Sequence, residues 1–468
     1  MAYIFYDTET TGLEAGFDQI LQFAALVTDD NLDVVEEVNL RCRLLPYVLP
    51  SPGALAITGI RPSDIATAPL SHYQMIRAIR ALIEKHAPAV MVGFNSLGYD
   101  EGMLRQALYQ TLNPVYLTNT SGNTRMDMMR VAHAASQYAP DVLTIPKNAA
   151  GQASFKLGLL SAANGLLHDH AHDALSDTFA TLELAKLIRA KAPAVWNAMR
   201  QMRSKQAVAE FMDEHYLFHF TDMAFGAPSI LAARIGVNPE SPSEVAVFDV
   251  AHDPTPYLDM DVDAIRAQLK ASPRLIRIVR SNSQPILIPV GIDPIGLQQA
   301  DLVTAQGRVL LIQDHAEFRR NIGAALSTRY ADREPPQYVE QRIYEGFPSR
   351  ADAGLMERFH AVPWPERAVI LDRIADARIK ELGARLIYAE APEALPPDLR
   401  NQFDAWRRER LTASTPVPWC NMTTARQELE QMKADTVEDA DGLLADIAAY
   451  LDRVGEVVAV SGDQSFKC

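Results

Sequence analysis

The chain has 468 residues, 48% hydrophobic and 22% charged, with a formal net charge of −15; that length exceeds one ordinary core and implies two to four domains. Three scattered cysteines, Cys42, Cys420 and Cys468, have no CxxC pairing, which excludes a disulfide scaffold and a cysteine zinc site and fits a reduced, cytoplasmic compartment. No apolar run approaches the roughly 18 residues that span a bilayer, and because the chain opens almost directly into a strand pattern, no secretory or transit segment is expected.

Over the first 190 residues strands alternate with helices. Strands are expected near 2–8, 22–28 and 34–45, the last two joined across the turn signal Asp29-Asp30-Asn31. Residues 71–87 space Met75, Ile76, Ile79, Leu82 and Ile83 on one helical face. They lead to a short apolar strand at 90–94, then to a helix beginning around Asp100 and another over 174–191. That order describes an α/β layer with a mixed sheet. After a helical piece at 194–214, residues 216–320 offer short β-rich runs (AVFDVA, RLIRIVRSN, PILIPVG, GRVLLIQ), which suit a small barrel or sandwich. Pro335-Pro336 marks a boundary zone, and from about 350 the pattern is helical. No repeat of fixed period stands out.

The negative charge, taken alone, argues against nucleic acid, but it is not uniform. Residues 1–200 carry 15 Lys and Arg against 19 Asp and Glu, as do 201–350, whereas 351–468 carry 14 against 21. Between Asp263 and Asp293 there is no acidic residue, while Arg266, Lys270, Arg274, Arg277 and Arg280 follow one another. Such a stripe is either a phosphate track or a solvated face, and phosphate binding needs a stripe rather than an average.

Asp7 and Glu9 close the first apolar strand, Tyr3 to Tyr6. Side chains at i and i+2 share a face, and two carboxylates that close repel unless a cation lies between them. Asp100 opens one predicted helix, and His172 and Asp177 open another. Four carboxylates call for hard, oxygen-seeking magnesium or manganese. A rival reading takes His168, His170 and His172 as a histidine metal clip.

The string Asp7-x-Glu9-Thr10-Thr11-Gly12-Leu13 resembles the first motif of the DEDD superfamily of 3′→5′ exonucleases. The approach to Asp100 resembles the second, and His172-x4-Asp177 the third, of the subtype whose base is His. The resemblance narrows to the bacterial exodeoxyribonuclease I family at LPSPGALAITGIRPSDI (49–65), GFNSLGYDEGMLR (93–105), SFKLGLLSAANGL (154–166), FHFTDMAFGAPSI (218–230) and RIYEGFPSRADAGLM (342–356). Two departures stand out: Glu101 replaces the family's second Asp, and Lys156 replaces an Arg, keeping charge but losing bidentate geometry.

The resemblance implies an RNase H-like α/β exonuclease domain with a mixed sheet (1–195), a small SH3-like β-barrel (196–345) and an α-helical C-terminal domain (346–468), together enclosing a strand. It implies a single-strand-specific 3′→5′ exodeoxyribonuclease that serves repair and recombination and releases nucleoside 5′-monophosphates. Asp7, Glu9, Asp100 and Asp177 would hold two Mg²⁺ ions, with Mn²⁺ as the substitute, and His172 would take the proton of the attacking water. Glu9, Lys156, Arg105 and Lys205 would contact substrate. Further groove candidates are Arg125, Arg130, Arg203, Arg277 and Arg280, with Tyr99, Tyr116 and Phe225 for stacking. The implied partners are single-stranded DNA and the acidic tail of single-stranded DNA-binding protein, with no membrane and a monomeric chain. The alternatives are a proofreading exonuclease or RNase of the same superfamily, against which the length and the post-200 domains argue, and a non-catalytic DNA clamp, against which the intact five-residue set argues.

Overall fold

The computed structural model describes residues 1–166, 173–223, 229–295, 302–328, 336–435, 439 and 442–463, with the backbone alone for 458–463. A mixed sheet comes first, in the order β3-β2-β1-β4-β5: β1 (Ala2–Thr10), β2 (Ile20–Thr28), β3 (Val34–Arg41), β4 (Ala89–Gly93) and β5 (Thr124–Asp127). β1 runs antiparallel to β2 and parallel to β4. As the central strand it is covered on both faces, which is why its apolar run is nearly continuous. Alternation sends Tyr3 and Phe5 to one side and Ile4 and Tyr6 to the other.

The helices of this region are α1 (Pro52–Thr58), α2 (Pro62–Thr67), α3 (His72–His86), α4 (Asp100–Gln110), α5 (Met128–Tyr138), α6 (Leu157–Ala163), α7 (Ala174–Lys191) and α8 (Pro193–Gln201). α3 and α4 cover the Ile4 face with Met75, Ile76, Ile79, Met103 and Leu104. α5, α7 and α8 cover the Tyr3 face with Val131, Leu182, Ile188 and Trp196. α3 starts at a capping box, Ser71 with Gln74, which satisfies orphan backbone donors. Its last turn reaches back to the edge strand, where Lys85 and His86 both bind Glu36 of β3; charged side chains there guard the open edge. Truncating the fully buried Ile79 to Ala would cost about 2–5 kcal/mol.

A second sheet, antiparallel throughout, has the order β10-β6-β7-β8-β9: β6 (Phe218–Thr221), β7 (Ile230–Val237), β8 (Glu244–Asp249), β9 (Ile276–Arg280) and β10 (Ile286–Pro289). Among the described residues no ladder joins β9 to β10, so the sheet is not closed by hydrogen bonds. α9 (Lys205–Glu214) packs Val208 and Phe211 on one face. On the other face lie residues of the helices α10 (Thr255–Leu258), α11 (Val262–Gln268), α12 (Leu302–Asp314) and α13 (Ala316–Ser327). Two expectations change here. The run 307–313, read as a strand, belongs to α12, which buries Ala305, Val309 and Ile312 at helical spacing; periodicity cannot separate the two for a short aliphatic run. The helical piece 194–214 is two helices, because Ser204 caps a new start at Lys205.

The remaining helices are α14 (Arg350–Ala361), α15 (Trp364–Arg373), α16 (Ala377–Glu390), α17 (Pro397–Thr412), α18 (Met422–Asp435) and α19 (Leu443–Asp463). They share cores with the first region: Leu45, Tyr73 and Leu112 pack with Phe359, Leu382 and Leu386, and Leu21, Leu49 and Leu55 pack with Leu429, Ile447 and Leu451. Ahead of them the short 3-10 turn Val339–Tyr344 is pinned by Glu340, whose Oε1 accepts from Arg385 at 2.7 Å and Arg410 at 2.9 Å. No described helix is long and apolar enough to cross a membrane.

Candidate active site

The period-2 alternation that buries Tyr3 and Phe5 under α7 carries Asp7 and Glu9 onto the same face. The first turn of α7 supplies Asp177, and one carboxylate oxygen from each of Asp7, Glu9 and Asp177 lies within 4.8 Å of the others. The β1–β2 register slips between Glu9 and Thr10, so that Glu9 faces Gln22 but Thr10 faces Ile20. A bulge at that point bends the strand end, and the skipped Leu21 packs into the core shared with α18 and α19.

Asp100, 4% exposed at the start of α4, accepts a 2.5 Å hydrogen bond from the Thr8 hydroxyl. It lies outside the group of three but acts on it electrostatically. Burial first, then the Asp100, Asp177 and Glu9 carboxylates, hold Asp7 well above the ordinary carboxylate range. Burial, then Asp177 and Asp100, push Glu9 up to about 9, against a small opposing pull from Arg41. Burial pushes Asp100 to about 7 despite the Thr8 hydrogen bond. Acids so placed are held protonated unless positive charge enters. The donor set, all carboxylate oxygen and mutually close, fits a divalent hard cation. His172, like His168 and His170, lies outside the described residues.

Several supporting residues carried no signal in the sequence. Asp173 caps α7 by accepting from the Leu175 and Ser176 amides, while its other oxygen accepts from Gln22 and Arg41, each at 3.1 Å. Its partners are more than 130 residues distant, so no local pattern marks it. Asp127 accepts from the Asn95, Leu97 and Met129 amides and so fixes the loop that precedes α4. The Thr10–Leu13 turn is cinched from two sides. Thr11 donates to Asp18 at 2.8 Å, and the Tyr99 hydroxyl donates to the Gly12 carbonyl at 2.8 Å. A Cβ on Gly12 would lie 2.5 Å from the Asp18 carboxylate, so a side chain there would have to displace the group that Thr11 and the Glu14 amide hold. Leu13, in this turn, is 82% exposed.

The other sequence candidates divide. Arg105 and Arg125 both donate to Glu101 Oε1 at 2.8 Å, joined there by the Thr118 hydroxyl. Arg105 continues to the Tyr344 hydroxyl, and Arg125 to the Asn282 carbonyl. Lys156 and Lys205 are exposed at the starts of α6 and α9, outside the carboxylate group. Tyr99 serves the Gly12 turn, Arg203 donates to the Arg200 carbonyl, and Phe225 lies outside the described residues. Of the basic stripe, Arg274, Arg277 and Arg280 line an open cleft opposite Arg130 and His133 of α5. Arg266 instead folds back onto Asp263 and Thr328.

Comparison with known proteins adds the following. A family model described as Exonuclease matches residues 4–185, and one described as Exonuclease I C-terminal domain matches 337–454. Exodeoxyribonuclease I of Escherichia coli strain K12 is 27% identical over 462 residues, 93% of this chain and 94% of the relative. That of Haemophilus influenzae is 26% identical over 403 residues, 81% and 84% of the two chains. Among solved structures, exonuclease I from Methylocaldum szegediense aligns with a TM-score of 0.85 at 25% identity, covering 97% of this chain and 99% of the other. E. coli exonuclease I in complex with a dA16 oligonucleotide also gives 0.85 over the same shares, at 23% identity, a likeness of fold.

Proposed function

Because the chain belongs to the exodeoxyribonuclease I family, we propose that it is a single-strand-specific 3′→5′ exodeoxyribonuclease releasing nucleoside 5′-monophosphates, acting in DNA repair and recombination. The observation that carries the reading is the convergence of Asp7, Glu9 and Asp177 within 4.8 Å, in a chain similar to that family over nearly its whole length.

In this reading Asp7, Glu9, Asp100 and Asp177 hold two Mg²⁺ ions, for which Mn²⁺ substitutes. Bound there, the ions supply Lewis-acid stabilisation of the phosphate charge and acidify the attacking water. Asp7 and Glu9 are held by the rigid strand end, and Asp177 by the capped start of α7, so the ligands meet without reorganisation. His172 takes the water's proton, the general-base task for which imidazole is suited near neutral pH. Glu9, Lys156, Arg105 and Lys205 contact the substrate strand, Leu13 offers apolar surface to a terminal base, and the cleft between Arg130 and Arg277 carries the phosphates that follow. The working division is an exonuclease unit (1–195), an SH3-like unit (196–345) and a helical unit (346–468), in a monomer that also docks the acidic tail of single-stranded DNA-binding protein.

The test is digestion of 5′-labelled single- and double-stranded DNA with Mg²⁺, resolved on a sequencing gel. A ladder growing inward from the 3′ end of single strands alone is expected. Equal degradation of RNA and DNA oligonucleotides would sink the DNA assignment.

A further inference from the structure

Among the described residues only four Phe, Tyr or Trp side chains are more than a third exposed: Phe179, Tyr216, Tyr344 and Phe347. Two of the four share one patch. Tyr344 is 67% and Phe347 79% exposed, and each ring left in water forgoes the stabilisation that burial would give it. Folding therefore gives no reason to keep them outside, and clustered exposed apolar surface marks a contact site.

The patch is built rather than loose. The Tyr116 ring packs beside Phe347, with centroids 5.6 Å apart and planes inclined at 55°. Arg105 sets its guanidinium 5.1 Å over Tyr116 and donates to the Tyr344 hydroxyl at 3.4 Å, while Glu101 holds it from behind at 2.8 Å. Gly346, at φ +102°, makes the turn between the two exposed rings in a conformation that L side chains rarely adopt. Arg105 stands five residues beyond Asp100 on α4, about 7.5 Å along the axis. A strand whose 3′ end lies at the carboxylates is therefore within reach of the patch.

We propose that Tyr344 and Phe347, backed by Tyr116 and Arg105, form a stacking platform for bases of the single strand upstream of the bond being cut. This rests on the exonuclease reading above and extends its substrate track. Nucleic acid is favoured over an apolar peptide because a cation is built into the ring cluster, and because the patch continues the helix that carries Asp100. Stacking on aromatic faces beside Arg is how single strands are held without reading sequence.

The test compares the full-length protein with its Tyr344→Ala/Phe347→Ala double variant. Binding of labelled oligothymidylates of three and of about twenty nucleotides is measured in EDTA, with hydrolysis of both in Mg²⁺. The double variant should bind the long strand about ten- to a hundredfold more weakly, the loss expected for base–aromatic stacking. Its turnover of the trinucleotide, measured well below its own thermal midpoint, should match wild type, and Phe347→Trp should retain long-strand affinity. Unchanged affinity for the long strand, or equal weakening for short and long, overturns the platform. If wild type itself neither binds nor cuts single strands, the exonuclease reading falls first and the platform with it.

Discussion

At the scale of single residues, the acid cluster fixes how the protein responds to pH and metal. Asp7, Glu9 and Asp100 all have folded-state pKa values above the ordinary carboxylate range. In metal-free protein the neutral forms of these three are favoured, so their contribution to stability is greatest at and below the unfolded carboxylate range. It is lost as pH rises through about 7 for Asp100 and about 9 for Glu9. Scanning calorimetry in EDTA should show the thermal midpoint falling between those limits, and added Mg²⁺ should restore more at the alkaline end. A midpoint indifferent to pH would contradict this. Asp7→Asn should remove both hydrolysis and the metal-induced rise, while making the metal-free protein more stable, because the neutral amide carries no cost of taking up a proton on folding. Gly12→Ala drives a methyl into the Asp18 carboxylate; displacing the turn by about 1 Å should cost on the order of 10²-fold in kcat, and stopped-flow turnover would measure it. The convergence of Asp7, Glu9 and Asp177 was legible in the i, i+2 spacing at the end of the first strand and in the motif resemblance, which also names Asp100. Asp18, Asp127 and Asp173 were not, since each acts through partners that only the fold brings near.

At the scale of elements, α7 is the part on which the site depends most. Asp173 both caps it and ties it to β2 and β3 through Gln22 and Arg41. Asp173→Ala should lose about 1 kcal/mol from the cap and weaken Mn²⁺ binding, because Asp177 then rides on a frayed turn. Asp173→Asn keeps an acceptor for the helix amides and should recover the stability, but not the pairing with Arg41. Urea titration beside Mn²⁺ calorimetry separates the two effects, and equal behaviour of both variants would refute the account. Helices and strands with strong periodicity, such as α3 and β1, were readable in advance because pattern and tertiary burial agree. The stretch at 307–313 was not: its aliphatic run has the composition of a strand, and only the cover it provides over the second sheet selects the helix.

At the scale of the whole molecule, the helical region is fastened by buried charge. Glu340 is 1% exposed between Arg385 and Arg410, and Glu340→Ala would leave Arg410 without its carboxylate and Arg385 with Glu381 alone, at a cost of about 3–5 kcal/mol. The cleft between Arg130 and the β9 arginines should make binding fall with salt. On the scale of about 0.7 in log–log slope for each phosphate neutralised on a single strand, Arg130→Ala and Arg277→Ala should each flatten the salt dependence. The sequence named Arg130 and the stripe separately as groove candidates but not that they line one cleft, because Arg130 lies more than a hundred residues earlier. Glu101 has a wider consequence. One of its oxygens grips two arginines that reach Asn282 on one side and Tyr344 on the other. Swinging either part aside would break one arginine-donated bond, to the Asn282 carbonyl or to the Tyr344 hydroxyl, each worth about 1.5–3 kcal/mol. If the strand runs between these two tethered parts it must enter by a free end, and a covalently closed circle should then neither be cut nor compete with a linear strand.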